Sequence, residues 1–260
     1  MSDTASRPRR RRAVLAGALA AGVGLAGCLG ATEAGSSVAS ERERFHYATD
    51  HAAALAVSTD SGAVTVHGER RRDVALTVRR TAADDDGLDA TATDVSLVDG
   101  TLRVTAVVDR ESTGSREPRV DLELQVPRSL PIDRAVAPNG DLEVRQVAAV
   151  GRAHAANGAV TVAGVDGDVL IVGTDGAVVA TEVGGRVDAE TTSGALTVEQ
   201  AGGPVAARSA TGDVTVTDVD ANVSVETADG DIVVRSVAGD ASLETDGDAT
   251  IAGVDGTVRR

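Results

Sequence analysis

Aspartates crowd the glycine turns of this chain in pairs: Asp166 and Asp168, Asp218 and Asp220, Asp229 and Asp231, Asp246 and Asp248. Paired carboxylates can hold Ca²⁺, which takes about six to eight oxygen ligands. They can also act as acid and base on a glycosidic bond. The surroundings favour neither chemistry. The Gly-Gly-x-Gly-x-Asp nonapeptide of Ca²⁺ β-rolls is absent, and Asp at turns is expected from hydrogen bonding to nearby backbone. A carbohydrate-cleaving site needs aromatic platforms and a local irregularity, whereas here the turns are uniform and aromatics are 1% of residues. His46, His51, His67 and His154 show no metal-ligand spacing, and no Gly-x-Ser-x-Gly elbow is present. The expectation is a protein that is not an enzyme, with no catalytic residue, no metal site, no cofactor and no small-molecule substrate.

The one cysteine has a different chemistry. Arg9–Arg12 form a basic patch, and a mildly apolar run of 15 residues, Ala13 to Gly27, follows. That is short for a membrane span, which needs roughly 20 apolar residues, and fits the apolar region of a secretory signal. The run ends Leu25-Ala26-Gly27-Cys28, which resembles a lipobox, and Arg11-Arg12-Ala13-Val14-Leu15 resembles a twin-arginine export motif. The resemblance implies export through Arg11 and Arg12, cleavage before Cys28, and lipid attachment to its sulfur. The alternative is a buried structural cysteine or an uncleaved anchor. One lipid chain binds a membrane only marginally, so stable anchoring takes two chains or signals.

All 25 basic residues are Arg, against 40 acids, for a net charge of −15. That balance excludes the basic face that nucleic-acid binding needs. Removing residues 1–27 leaves 20 Arg and 39 acids. Such charge is tolerated best in concentrated salt, where the Debye length is about 3 Å at 1 M. The Asp excess, the absence of Lys and the scarcity of large apolar residues resemble a halophile's protein. Residues 29–44 are small, polar and charged and read as a flexible tether.

The elements that would position any of these groups come from a repeat. A small polar residue followed by Gly recurs at Gly140, Gly158, Gly176, Gly194, Gly212, Gly230 and Gly247, at a spacing of 18 five times and then 17. A second small column, Ala149, Gly167, Gly185, Gly203, Ala221, Gly239 and Gly256, lies nine residues later. Two turns per repeat leave two short strands. Apolar residues then fall in register as Leu142, Val160, Val178, Leu196, Val214, Ile232 and Ala249, and again from Val144, from Val147, from Val169 and from Ile171. Alternation with polar positions is the period of a half-buried strand. Strands this short are stable only when coil stacks on coil. The predicted fold is all-β: a parallel β-solenoid (β-helix) of ~18-residue coils, seven of them about 34 Å long at ~4.8 Å each. A β-sandwich competes, but antiparallel hairpins require no such period.

The predicted organisation is a signal over 1–27, a tether over 28–44, irregular N-terminal β coils over 45–135 and regular coils over 136–260. Ser61-Gly62-Ala63-Val64-Thr65-Val66 and Asp99-Gly100-Thr101-Leu102-Arg103-Val104 copy the later turn-plus-strand motif. They predict wider coils of the same stack or a β cap on it. Asp84–Gly87 and Ser112–Pro118 read as exposed loops, and Val126–Pro131 introduces the regular coils. Turns of this kind, a Val-Pro segment and a ladder of [NSTD]-G-[DA]-[VL]-x-V coils resemble the bacterial and archaeal adhesin-like family with DUF4097-type β-strand repeats, over about residues 50–260. The resemblance implies a β-helical, surface or membrane-associated protein without established catalytic residues.

An outward column, Thr161, Val179, Thr197, Thr215, Val233 and Thr250, starting from Glu143, is flat and nearly uncharged. It could dock a partner strand, a glycan or ordered water, or simply reflect β propensity. Arg259 and Arg260 could guard an open solenoid end against stacking. The functional expectation is a non-catalytic lipoprotein on the outer face of the cell membrane, adhesin-like or an envelope scaffold. Its partners are the membrane, through the lipid, and a cell-surface protein or glycan. The alternatives are a surface component of a signalling or stress-response system and a degenerate polysaccharide-active β-helix.

Overall fold

The computed structural model describes residues 38–109 and 117–260. Arg11, Arg12 and Cys28 lie outside these residues. The chain enters as β1 (Ala39–Ala48), β2 (Ala54–Thr59), β3 (Val64–Glu69) and β4 (Asp73–Ala82). It then passes through α1 (Asp85–Asp89) to β5 (Thr91–Val98), β6 (Thr101–Val108) and β7 (Arg119–Pro127). Shorter strands follow: β8 (Ile132–Val136), β9 (Leu142–Arg145), β10 (Val150–His154), β11 (Val160–Val165), β12 (Val169–Val172), β13 (Val178–Val183), β14 (Val187–Thr191) and β15 (Leu196–Ala201). The last are β16 (Val205–Ser209), β17 (Val214–Val219), β18 (Val223–Thr227), β19 (Ile232–Val237), β20 (Ala241–Glu244), β21 (Ala249–Val254) and β22 (Val258–Arg259).

From β8 onward the strands alternate between two 11-stranded sheets. Sheet 1 runs β1-β4-β7-β3-β9-β11-β13-β15-β17-β19-β21, and sheet 2 runs β5-β6-β2-β8-β10-β12-β14-β16-β18-β20-β22. This is a parallel β-solenoid with seven regular coils, β8–β9 through β20–β21. Coil pairs with coil without offset: Val160 lies beside Val178, Val178 beside Leu196, Leu196 beside Val214, and Val214 beside Ile232. The predicted apolar columns are the core, with Leu142 through Ile232 at most 1% exposed. The column ends at Ala249, which is only half-buried because no described coil covers it.

Within sheet 1 the buried positions step by two and then by three, as from Val144 to Val147. The skipped residue is left-handed in every coil: Gln146, Glu182, Gln200, Asp218 and Ser236 at φ 55–58°, Gly164 at 65° and Gly253 at 66°. One left-handed residue per coil turns the backbone so that both flanking side chains reach the core. A side chain in this conformation costs roughly 1–2 kcal/mol. Only Gly164 and Gly253 signal it in the sequence, so this column is not legible there.

The corner glycines follow a different rule. A Cβ on Gly176 would strike the Gly158 carbonyl of the coil below, and one on Gly158 would strike that of Gly140. In that column only Gly194, at φ +127°, is left-handed. Close stacking of corner on corner, more than backbone freedom, excludes a side chain.

The N-terminal region supplies both further coils and a cap. The β2–β3 layer, turned at Ser61–Ala63, pairs in parallel with β8–β9. The β6–β7 layer pairs in parallel on its far side. Spatial order therefore departs from chain order. After β7 the chain climbs past the β2–β3 layer before starting β8. Arg128 N–H donates to the Glu69 carbonyl at 3.0 Å, Leu55 N–H donates to the Pro131 carbonyl at 3.0 Å, and Leu130 is buried along the way. Beyond this layer the pairing turns antiparallel, with β4 and β1 on sheet 1 and β5 on sheet 2.

Three local expectations are corrected. Asp99-Gly100 closes the antiparallel β5–β6 hairpin and is no solenoid corner; both residues have positive φ, as an Asp-Gly two-residue hairpin turn requires. Asp84–Gly87 is no loop: Asp84 caps α1 by accepting from the Gly87 N–H at 2.8 Å. The tether, placed over 28–44, is cut short, because Ala39–Ala48 already pairs along β4.

The chain's only Phe and only Tyr, Phe45 and Tyr47, stand on β1 with ring centroids 6.4 Å apart. They pack half-buried on the core, as do Val95 and Leu97 of β5. Burial, then the charges of Asp94 and Glu43, pushes the Tyr47 hydroxyl up to about 12. The aromatic side chains thus stand at the capped end, where no further described coil supplies contacts.

Gly176→Ala is expected to lower the unfolding free energy by about 2–3 kcal/mol through overpacking, and Gly164→Ala by about 1 kcal/mol through φ strain. Urea titration of both separates the rules; equal losses would refute the stacking account. Phe45→Ala should cost about 1–2 kcal/mol, the share a half-buried aromatic contributes.

Candidate interaction surface

The acidic turns are used inside the stack. The Asp141 carboxylate accepts the Ala159 N–H of the next coil at 3.0 Å, Asp168 that of Arg186 at 2.7 Å, Asp213 that of Asp231 at 3.0 Å, and Asp231 that of Asp248 at 3.0 Å. Asn222 and Asp240 continue this at the second corner, accepting from the Asp240 and Thr257 N–H groups. At these corners the side chain satisfies an amide that the turn leaves without a strand partner; Ala159, Ala177 and Ala195 stand at the first-corner position in the coils between and offer no such acceptor. Buried hydroxyls do the same at the first corner: Ser209 Oγ accepts from the Gly212 N–H at 2.9 Å, and Thr227 donates to the Gly212 carbonyl at 3.1 Å.

Among the described residues, no three of His, Cys, Asp and Glu converge on a metal-sized site. The histidines are dispersed: His67 bonds Gln146 at 3.1 Å, His154 donates to the Val172 carbonyl, and His51 is exposed near β2. His46 lies 2.9 Å from Asp73, whose other oxygen receives Arg71 Nε at 3.0 Å. Hydrogen bonds from Arg71 and then His46 hold the Asp73 carboxyl down at about 2. This cluster is a clasp. With Arg80 bonding Glu43 at 2.8 Å and Glu41 at 3.2 Å, it ties β1 onto β4.

Two broad faces remain. On sheet 2 one outward column is charged, Glu190, Arg208, Glu226 and Glu244: Arg208 reaches Glu226 at 3.5 Å and Asp188 at 3.6 Å, and Arg186 reaches Asp188 at 3.2 Å. A shallow groove of about 340 Å³ opens beside this face near Pro204, Asn222 and Asp240. Its Asn222 and Asp240 side chains are the same ones that cap corner amides.

Sheet 1 is different. The predicted outward column is real and in register, Thr161 beside Val179, Thr197, Thr215, Val233 and Thr250 in turn, with Glu143 at its start. Thr65 of β3 extends it past Glu143. Two residues along each strand lies a parallel outward column that sequence reasoning missed: Arg145, Ala163, Thr181, Glu199, Thr217, Arg235 and Ala252. Over the rows from Val179 to Ala252 the two columns make a nearly flat patch with one acid and one base, Glu199 and Arg235; nearer β3, Glu143 and Arg145 pair with each other at 2.8 Å. The signal was present as alternate residues of each repeat, but only the lateral pairing makes the two columns one face.

No family model and no curated protein sequence matches the chain. The fold is similar to solved structures of three proteins of putative role. One is a cell adhesion protein from Clostridium sporogenes (9% identity, 85% of this chain and 100% of that chain, TM-score 0.36). The second is a lipid binding protein from Parabacteroides distasonis (12% identity, 85% and 96%, TM-score 0.42). The third is an adhesin from Bacteroides fragilis (14% identity, 84% and 97%, TM-score 0.27). These are likenesses of architecture and carry no argument about a ligand.

The clasp yields a pH prediction. Asp73 titrates lower in the folded chain than its ordinary 3.8, so its contribution is present above about 4 and is lost as pH falls towards 2. Amide exchange in Ala39–Ala48, corrected for intrinsic rates, should therefore accelerate selectively across that window. Asp73→Asn should show fast exchange in these amides already at pH 6. Unchanged protection in the variant would remove the clasp.

Proposed function

We propose that the chain is an exported, lipid-anchored, non-catalytic protein of the outer membrane face, adhesin-like, whose work is to hold a flat binding face on a rigid acidic rod. The observation that carries this reading is the equivalence of the coils. Several of their carboxylates serve corner amides, hydroxyls close corners, and the groups facing outward on sheet 1 form an extended plane instead of a pocket. A plane suits a macromolecular partner, since small-molecule sites are concave. The lipobox-like Leu25–Cys28 and the Arg11-Arg12 pair support export and anchoring, and the acidity supports a salt-rich exterior. The DUF4097-type resemblance supports the adhesin-like assignment.

Fractionation with intact-mass analysis tests the reading. The wild type should be membrane-bound and processed before Cys28, with lipid mass on that residue, and Cys28→Ser should be released or unprocessed. A wild-type protein recovered in the cytoplasm with residues 1–27 intact would overturn it.

A further inference from the structure

We propose that the outward face of sheet 1 is self-complementary and pairs with the same face of a second copy, the two rods running antiparallel. The argument rests on the two charges that the paired columns carry between Val179 and Ala252. Glu199 and Arg235 are both exposed, and neither belongs to an ion pair among the described residues. They occupy the same column, one coil to either side of Thr217: Glu199 pairs with Thr217 across the β15–β17 ladder, and Thr217 with Arg235 across β17–β19.

Consider two such faces related by a twofold axis that lies along the strand direction and passes over the Thr215–Thr217 row. The axis leaves position along the strand unchanged and inverts the order of coils. Glu199 of each copy then faces Arg235 of the other, giving two reciprocal ion pairs. Thr197 faces Val233, Val179 faces Thr250, and Thr181 faces Ala252. Packed sheets lie ~10 Å apart, a gap that an extended Arg and Glu span together. A twofold axis along the rod would instead set each coil against its own copy, bringing like charges into one row. Charge placement thus selects the antiparallel arrangement.

The charge of the whole molecule agrees. Two full chains, each of net charge −15, repel wherever acidic surfaces meet, and this is the broad face where they need not. At its margins Asp213 and Asp218 approach their own copies, so pairing should tighten as salt rises and screens them. The five shared rows cover about 20 Å of rod at ~4.8 Å per coil. That is a small interface, in the range of weak, transient contacts, and many copies on a surface would act through avidity. The biological meaning rests on the anchored reading above: antiparallel rods point their N-terminal ends in opposite directions, so anchored copies would pair between two facing membranes.

The test uses the full chain carrying Cys28→Ser, in solution. Sedimentation at ~0.1 M and ~2 M salt should show a concentration-dependent dimer that is favoured by salt. Glu199→Arg and Arg235→Glu should each weaken it at least tenfold, although they change net charge in opposite directions. The double swap should restore it, and Glu226→Arg on sheet 2 should leave it unchanged. Adding Thr217→Cys should give a dimer with a short bis-maleimide, while Thr161→Cys, three coils from the axis, should not. A monomer under all conditions, single reversals without effect, or a double swap that fails to restore pairing would overturn the proposal. None of these outcomes touches the anchoring experiment, whose failure would leave a soluble antiparallel pair intact.

Discussion

Coil pairs with coil in register, and most of the molecule follows from that constraint. A parallel ladder without offset sets each residue directly over its equivalent, ~4.8 Å away. At the corners this brings one coil's Cα against the carbonyl below it, which is why Gly158, Gly176 and Gly212 carry no side chain. In the core it stacks like on like, so Val over Val fills the narrow space between sheets and a large ring would recur with nowhere to go. Several corner amides, those of Ala159 and Asp231 among them, take a carboxylate from the neighbouring coil. On the surface the constraint would stack like charges. Sheet 2 relieves this in part by setting Arg208 within reach of Asp188 and Glu226, although Glu226 still stacks on Glu244, and sheet 1 by carrying few charges between Val179 and Ala252.

A stack has ends, and an unpaired strand edge is a hazard. At the N-terminal end the chain changes from parallel to antiparallel pairing. It adds β4 and β1 to sheet 1 and β5 to sheet 2, packs Phe45 and Tyr47 on the exposed core, and fastens the last strand with Arg80, Asp73 and their partners. The edge strand β1 alternates Glu41, Arg42, Glu43 and Arg44, a charged rim unsuited to further pairing. The spatial order, with the β2–β3 layer inside the β6–β7 layer, requires the first coil to pair on both sides with distant segments: Ala54 with Thr101 and Val64 with Leu122 on one side, Leu55 with Ile132 and Val64 with Leu142 on the other. Folding of this end is therefore more non-local than that of the regular coils, whose partners lie 18 residues away.

The same regularity bears on function. Catalysis needs a few groups held in one unusual place. A uniform stack offers near-identical places, and here Asp141, Asp168, Asp213 and Asp231 bond corner amides. What regularity supplies is length, stiffness and a planar face whose few exceptions stand out. On sheet 1, between Val179 and Ala252, the exceptions are Glu199 and Arg235, spaced symmetrically about Thr217.

The sequence by itself determined the coil. A period of 18 with glycines at fixed phase and alternating Val admits essentially one architecture, because only stacking makes each repeat's neighbour equivalent. It also made the first outward column readable, since alternation assigns every second residue to one side. The tertiary structure decided the rest, where neighbours in space are not neighbours in the repeat. The left-handed column at Gln146 and Glu182 was hidden because contacts to the next coil, and not glycine, hold that conformation. Asp99-Gly100 reads like a corner and is a hairpin, because the strand before it, β5, meets no coil of its own and folds back on β6. The layer order near β2 and β3, and the joining of two columns into one face, depend on lateral hydrogen bonds between distant segments. Local spacing carries no record of those bonds.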